Sequence, residues 1–480
     1  MSWPAIVLWI LIVPAVASSG PVLIYLVMVT GVFMSLQMLP GDAAGANLLP
    51  QTVYACALIC KVAVAPGNLL RGLELMLDPR RLGLFTAFVV FGIVTAIALP
   101  RVFGGLVEVI PVSGAALTGS SLLEPRSGNI TQTGYMLISY LTAVAFAIIG
   151  SRRDVRDCYL TALVVGAMAL IATGIIDLAL YKAGLSQLLD PFRTASYTLL
   201  TDVEAAGAKR VVGLTPEAST YGTLCVNAAV VIFFLRPLYP KGRSRALATA
   251  AFVGTVVMAA LSTSATAYIG GAVFACVYLF DLMRRLLNPK AAGRDTLRWE
   301  IGLMLVVAVI GIGILALTPG VLSPAFDVVN KIIFQKTSSL SFEQRSMWTR
   351  VGWQAFLDSG GLGVGLGSVR TSNWEVSILG STGIFGAVLI FGFFLQKLLM
   401  PTSNLPRGDA SFARALKLSL LPFFAMNSLG GTIPDIGVGA AAILGFLSSA
   451  GMMARPEPKA AGETTSAAMV DRPVSTGRPS

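Results

Sequence analysis

No Asp, Glu, Lys or Arg occurs from Met1 to Gly41, and nine more stretches are equally free of charge: 82–100, 127–151, 158–176, 218–235, 246–280, 301–326, 376–396, 418–434 and 436–454. A membrane-spanning helix needs roughly 20 mostly apolar residues. Several of these stretches fit one such helix, and 1–41 and 246–280 are long enough for two. With 48–66, an apolar run broken by Lys61, the sequence predicts about 12 or 13 spanning helices. The chain is 55% hydrophobic and 12% charged, with a mean hydropathy of +0.77. A soluble domain carries about 25% charged residues. The expected fold is therefore an all-α polytopic membrane protein.

The net charge of +11 does not call for nucleic acid, because retention of Lys and Arg on the cytoplasmic side explains it. The basic clusters fall at every second connection: Arg71, Arg80 and Arg81; Arg152, Arg153 and Arg156; Arg236 to Arg245; Arg284 to Arg298; Lys397 to Lys417. The alternate connections, 100–131, 182–217, 319–374 and 428–435, are expected outside. This divides the chain into a bundle over 1–318 with two outer loops, a large periplasmic loop over 319–374, C-terminal spanning helices over 375–454, and a cytoplasmic tail over 455–480 rich in Pro, Ala, Ser and Thr, expected to be disordered. The uncharged loops between the first helices leave the side of the N-terminus open. The start lacks the basic region of a cleaved signal. Five cysteines lie in or beside apolar runs and the chain has no histidine, so neither a disulfide framework nor a metal site is expected.

Candidate chemistry collects in the outer loops. The stretch from Ser341 to Gly386 holds Arg345, Arg350 and Arg370 and a glycine ladder, Gly360, Gly361, Gly363, Gly365 and Gly367. The segment Phe342 to Leu357 is compatible with a helix that the ladder breaks. No strand precedes the glycines, which excludes a dinucleotide fingerprint; the ladder is expected to bring backbone amides close to a ligand. Arginine suits an anionic head group because its planar fork matches phosphate oxygens two at a time. A second element, Arg210, Gly213, Glu217 and Ser219, precedes the apolar run from Ala218. Glu217 follows Pro216, and a first-turn glutamate favoured by the helix dipole would be its ordinary explanation. Arg126 lies in the first outer loop. Asp177 and Asp281 sit near helix ends, where a structural role is expected. The small residues of 262–271 suggest a tight outer turn feeding a close helix pair. The pair Asp202 and Glu204 is weak as a metal site.

The element Arg210–Gly213–Glu217–Ser219 and the stretch from Arg345 and Trp348 through Gly363, Gly365, Gly367 and Arg370 to Gly383 and Gly386 resemble the O-antigen polymerase and ligase superfamily. The resemblance implies a C-type glycosyltransferase-like membrane fold whose large periplasmic loop precedes the last two or three helices. It implies a donor glycan on undecaprenyl diphosphate, an acceptor glycan, a bacterial inner-membrane location and no cofactor, and leaves open whether a chain-length regulator binds. Ligases of that superfamily depend on a loop histidine, absent here, which favours a polymerase of exopolysaccharide or O-antigen type. In this reading Arg210, Arg345, Arg370 and Arg126 bind the diphosphate in place of a metal. Glu217 first, or Glu343 second, takes the acceptor proton, and the anomeric carbon inverts. The alternatives are an O-antigen ligase, a flippase for lipid-linked oligosaccharide, a peptidoglycan polymerase relying on Asp327 or Asp358, or a small-solute transporter. Nearly charge-free spans and the lack of internal repeats count against the flippase and the transporter.

Overall fold

A computed structural model of the chain describes residues 1–40, 46–112, 119–197, 199–201, 204–205, 208–288, 294, 297–298, 300–302, 305 and 340–453. In these residues the α-helices are α1 (Trp3–Ala17), α2 (Val22–Thr30), α3 (Pro50–Ala63), α4 (Asn68–Leu77), α5 (Gly83–Val102), α6 (Ser127–Ile149), α7 (Arg153–Lys182), α8 (Ala218–Leu235), α9 (Arg243–Leu261), α10 (Ala265–Leu287), α11 (Leu340–Asp358), α12 (Trp374–Leu399), α13 (Arg407–Gly430) and α14 (Gly437–Met453). The described strands are two short antiparallel pairs, β1 (Glu108–Val109) with β2 (Ser121–Leu122) and β3 (Glu204–Ala205) with β4 (Ala208–Lys209). The described residues form a mostly helical, multi-pass membrane protein.

Seven described helices are long and apolar enough to cross a bilayer: α5 to α10, with α8 running on through a short 3-10 turn to Leu238, and α12. This is fewer than the twelve or thirteen expected, for reasons that a count of charge-free runs cannot see. The run 1–41 forms the 15-residue α1 and the 9-residue α2, both short of a full crossing. Its remainder unwinds, and the Ser35 amide donates to Leu214 O at 3.0 Å. Residues 48–66 form α3, which turns by 108° into α4 through Gly67 at φ +78°. Helix α4 exposes Leu69, Leu70, Leu73 and Leu77, the pattern of a helix lying in the membrane interface. The run 418–434 is mostly the second half of α13, whose first half carries Arg407, Asp409, Arg414 and Lys417. Most of 301–326 lies outside the described residues, as do 319–339 of the large loop and the tail.

The alternation of connections holds in space. Arg370 N donates to Ile110 O at 2.8 Å, Trp374 Nε1 to Pro434 O at 3.3 Å, and Arg345 reaches Glu217. All four connections expected outside thus share one face. On the opposite, basic face Arg71 bonds Ser151 at 3.0 Å, Lys397 bonds Arg80 O at 3.2 Å, and Arg156 pairs with Asp409 at 2.8 Å. Asp281 lies there too, with Arg285 at 2.9 Å and Arg414. Trp3 packs edge-on against Phe192 at 5.3 Å, so α1 begins at the loop face. Lys61 donates to Ala15 O and Ser18 O, meeting the unpaired carbonyls at the end of α1.

Packing joins α6 with α14, α5 with α12, α8 with α9, and α10 with α13. Aromatic pairs fill the seams, Phe85 with Phe393 at 5.0 Å and Phe146 with Phe446 at 5.1 Å. The expected tight turn spans 262–264 between α9 and α10. Ser264 caps α10 by accepting from the Ala267 amide, and Thr263 sits at φ +47°.

Candidate functional site

The glycine ladder is a structural wedge. Gly360, Gly361, Gly363, Gly365 and Gly367 all have positive φ, which non-glycine residues adopt only at a cost. A Cβ on Gly363 would lie 2.7 Å from Gly383 N, and one on Gly367 would lie 2.3 Å from Gly128 O. Four of the five glycine amides are already committed: Gly360 N to Leu357 O, Gly361 N to Phe356 O, Gly363 N to Ser359 Oγ and Gly365 N to Ser381 O, each at 2.9 Å, and Val364 N among them donates to Gly380 O at 2.8 Å. The expectation that these amides approach a ligand is therefore corrected. The loop enters the break of α12 at Gly383, whose φ is +63°, and the close approach is to helix backbone. Its product is the position of Arg370, delivered to the loop face where the wedge ends.

There Arg370, Arg345, Arg210 and Glu217 come together from two connections, 182–217 and 319–374. Arg345, on α11, holds both carboxylate oxygens of Glu217, at 3.2 and 3.3 Å. Glu217 is the residue before α8, yet its side chain does not cap that helix. It takes Arg345 and the Ser219 hydroxyl instead, so the helix-dipole account explains its position but not its partners. Arg210 donates Nε to Ser262 O at 3.2 Å and to Thr263 Oγ1 at 3.1 Å, and Nη2 to Thr263 O at 3.2 Å. The strained turn at Thr263 is thus the rest on which Arg210 sits. Arg370 lies over the Trp348 ring at 4.3 Å, and its buried Nε has no hydrogen-bond partner. Burial lowers the pKa of both Arg210 and Arg370; Glu217 opposes the shift and the like charge of Arg345 adds to it. Three guanidiniums thus share one carboxylate in a partly desolvated place, and an added anion relieves the excess.

Behind this centre lies a second carboxylate of a different kind. Asp177, on α7, is fully buried. Its Oδ1 accepts from Lys209 at 2.6 Å and from Arg193 at 3.0 Å, and its Oδ2 from the amides of Val212 and Gly213 at 3.0 and 3.2 Å. These donors flank Arg210 on both sides in sequence. Asp177 therefore pins the strand-and-turn segment that carries Arg210. The helix-end location was legible in the sequence, but the partners come from residues 16 to 36 positions away.

A groove of about 600 Å³ opens beside the cations. Phe342, Arg345, Ser346, Thr349, Arg350 and Trp353 line it from α11, opposite Ala265 and Ile269 of α10 and Ser428 and Leu429 of α13. The lining mixes cations, hydroxyls and apolar groups, and none of the lining residues is acidic.

The other expected residues lie elsewhere. Arg126 pairs with Glu124 at 2.7 Å and bonds Ser121 Oγ at 3.3 Å, serving the β1–β2 hairpin beside the ladder. A basic residue in an outer loop signals the right face but not which partner it meets. Glu343 is exposed in the first turn of α11. Glu204 accepts from the Tyr181 hydroxyl at 2.7 Å, while Asp202 and Asp327 lie outside the described residues. Asp358 accepts from Gln354 at 2.7 Å. Ser262 and Thr263, which seat Arg210, were visible only as a small-residue turn. No protein-family model and no curated protein matches this chain.

Proposed function

We propose that the protein is a membrane glycosyltransferase that polymerises oligosaccharide repeat units carried on undecaprenyl diphosphate, at the outer face of the bacterial inner membrane. The observation that carries this reading is the gathering of Arg210, Arg345 and Arg370 around Glu217, with Arg345 also lining the groove. A diphosphate is the ligand that three convergent guanidiniums suit, since each fork can hold two phosphate oxygens.

The reaction is a single displacement. The acceptor hydroxyl attacks the anomeric carbon of the donor sugar as the carbon–oxygen bond to the diphosphate breaks. Negative charge grows on the departing phosphate oxygens, and the arginines hold it in a water-poor place, where one such contact is worth about 3 kcal/mol. In the resting arrangement Glu217 is the counter-ion of Arg345. When the diphosphate engages the cations, Arg345 turns its fork to phosphate and Glu217 is freed to take the proton of the acceptor hydroxyl. A single displacement inverts the anomeric centre. Arg126, engaged in the hairpin, is left out of this set, and Glu343 remains the second choice of base.

The test is replacement of Arg210, Arg345 and Arg370 singly by Ala and by Lys, followed by analysis of surface polysaccharide. The expected result is loss of high-mass polymer with accumulation of single repeat units on the lipid carrier. Normal polymer in all six variants removes the reading. Long chains stranded on the carrier identify a ligase instead.

A further inference from the structure

The groove face of α11 extends well past the cationic centre. Its lining residues, Phe342, Arg345, Ser346, Thr349, Arg350 and Trp353, recur at intervals of three and four, one continuous stripe of a helix. The stripe begins beside Glu217 and ends at Trp353. Eight residues separate Arg345 from Trp353, about 12 Å along the helix axis. The two tryptophans of α11 differ sharply. Trp348 is 8% exposed and engaged with Arg370, whereas Trp353 is 43% exposed and lines the groove. Phe356 props its ring at 5.3 Å. Between the cation and this open ring the stripe presents the Ser346 hydroxyl and the Arg350 guanidinium; Thr349 and Asn373 also line the groove, but the Thr349 hydroxyl is held between Arg345 O and Ser372 N and the Asn373 amide between Ser428 O and Val376 N.

We propose that this face of α11 is a glycan track, in which Trp353 is the platform for a sugar ring a few residues beyond the carrier's diphosphate. The inference rests on the diphosphate reading above and adds to it the recognition of the attached oligosaccharide. A bare isoprenoid chain would need only the apolar lining and would leave Ser346 and Arg350 without use. A sugar ring uses both kinds, its C–H face on the electron-rich face of an indole and its hydroxyls on the Ser346 hydroxyl and the Arg350 guanidinium of the same stripe. Two lining cations and no lining carboxylate suit a glycan tethered to an anion.

The experiment measures binding to the purified full-length chain in detergent with two probes, farnesyl diphosphate and farnesyl diphosphate bearing a disaccharide. Trp353→Ala is expected to weaken the glycan-bearing probe about tenfold and to leave the bare probe within about twofold. Trp353→Phe is expected to restore most of the loss, and Arg345→Ala to weaken both probes. Unchanged bare-probe binding shows that the Trp353→Ala protein is folded. Equal loss on both probes, or no loss on the glycan-bearing one, overturns the track while the Arg345 result leaves the diphosphate centre standing. Arg345→Ala with no effect on either probe overturns the diphosphate reading, and the track with it.

Discussion

Two carboxylates at the loop face meet arginine in opposite ways. Asp177 is fully buried and receives four donors, two from side chains and two from backbone amides. Its acceptor capacity is filled and the arrangement is closed. Glu217 is about a third exposed, receives one guanidinium nitrogen and one hydroxyl, and feels two more cations that it does not neutralise. A closed pair stabilises a fold and has nothing left for a ligand. An open centre with more positive charge than negative is poorly satisfied until an anion arrives. The lesson is that the balance of charge and exposure, not the presence of an ion pair, separates a site from a strut.

The largest test of this contrast is Arg345 itself. Arg345→Ala is expected to lower polymer synthesis by about two to three orders of magnitude, while the melting temperature in detergent moves little, because a partly exposed pair contributes at most about 1 kcal/mol. Wild-type synthesis would erase the distinction. Asp177→Asn should behave in the reverse manner. Removing one partner from a buried pair costs about 3–5 kcal/mol, so thermal unfolding in detergent is expected at a clearly lower temperature, or the protein fails to accumulate. An Asp177→Asn protein of unchanged stability would show that the closed cluster is not a strut.

The wedge offers a finer comparison. Gly367→Ala adds a methyl 2.3 Å from Gly128 O and is expected to destabilise more than Gly360→Ala, where no atom lies within 4 Å and only left-handed backbone strain of about 1–2 kcal/mol applies. Equal melting temperatures for the two variants would contradict the packing described. The smallest effect is expected at Asp435, in the turn between α13 and α14. Burial pushes its carboxyl up to about 6, and its Oδ1 has no hydrogen-bond partner. A carboxyl with a raised pKa binds its proton more tightly in the folded state. Stability should therefore fall as pH rises from about 4 to about 6 and level off above. Asp435→Asn should flatten that stretch of a stability-against-pH curve, and a curve unchanged by the substitution would refute the assignment.

Much of this was legible in charge placement. A crossing reverses the side of the chain, so the basic clusters at every second connection pointed to the face the other connections share, even though the charge-free runs overcounted the crossings, and Arg345 meets Glu217 there. Depth and partnership were not legible. Arg126 shares the face but turns to Glu124, because a hairpin's own geometry decides its neighbours. The ladder's glycines signalled close approach without saying to what, and the answer is helix backbone. Short α1 and α2 and the bend after Ala63 hide inside runs whose composition is indistinguishable from that of a full crossing. Asp177 looked like an ordinary helix-end acid because its donors lie in a loop that folds back over it.

The seam at Gly383 has a mechanical consequence. Arg370 hangs from a segment wedged among α5, α6 and α12, so its placement follows the tilt of those helices and not the surrounding water. A bilayer thick or thin enough to slide them against one another would move this guanidinium relative to Arg345, so the spacing of the two cations answers to the thickness of the lipid around them.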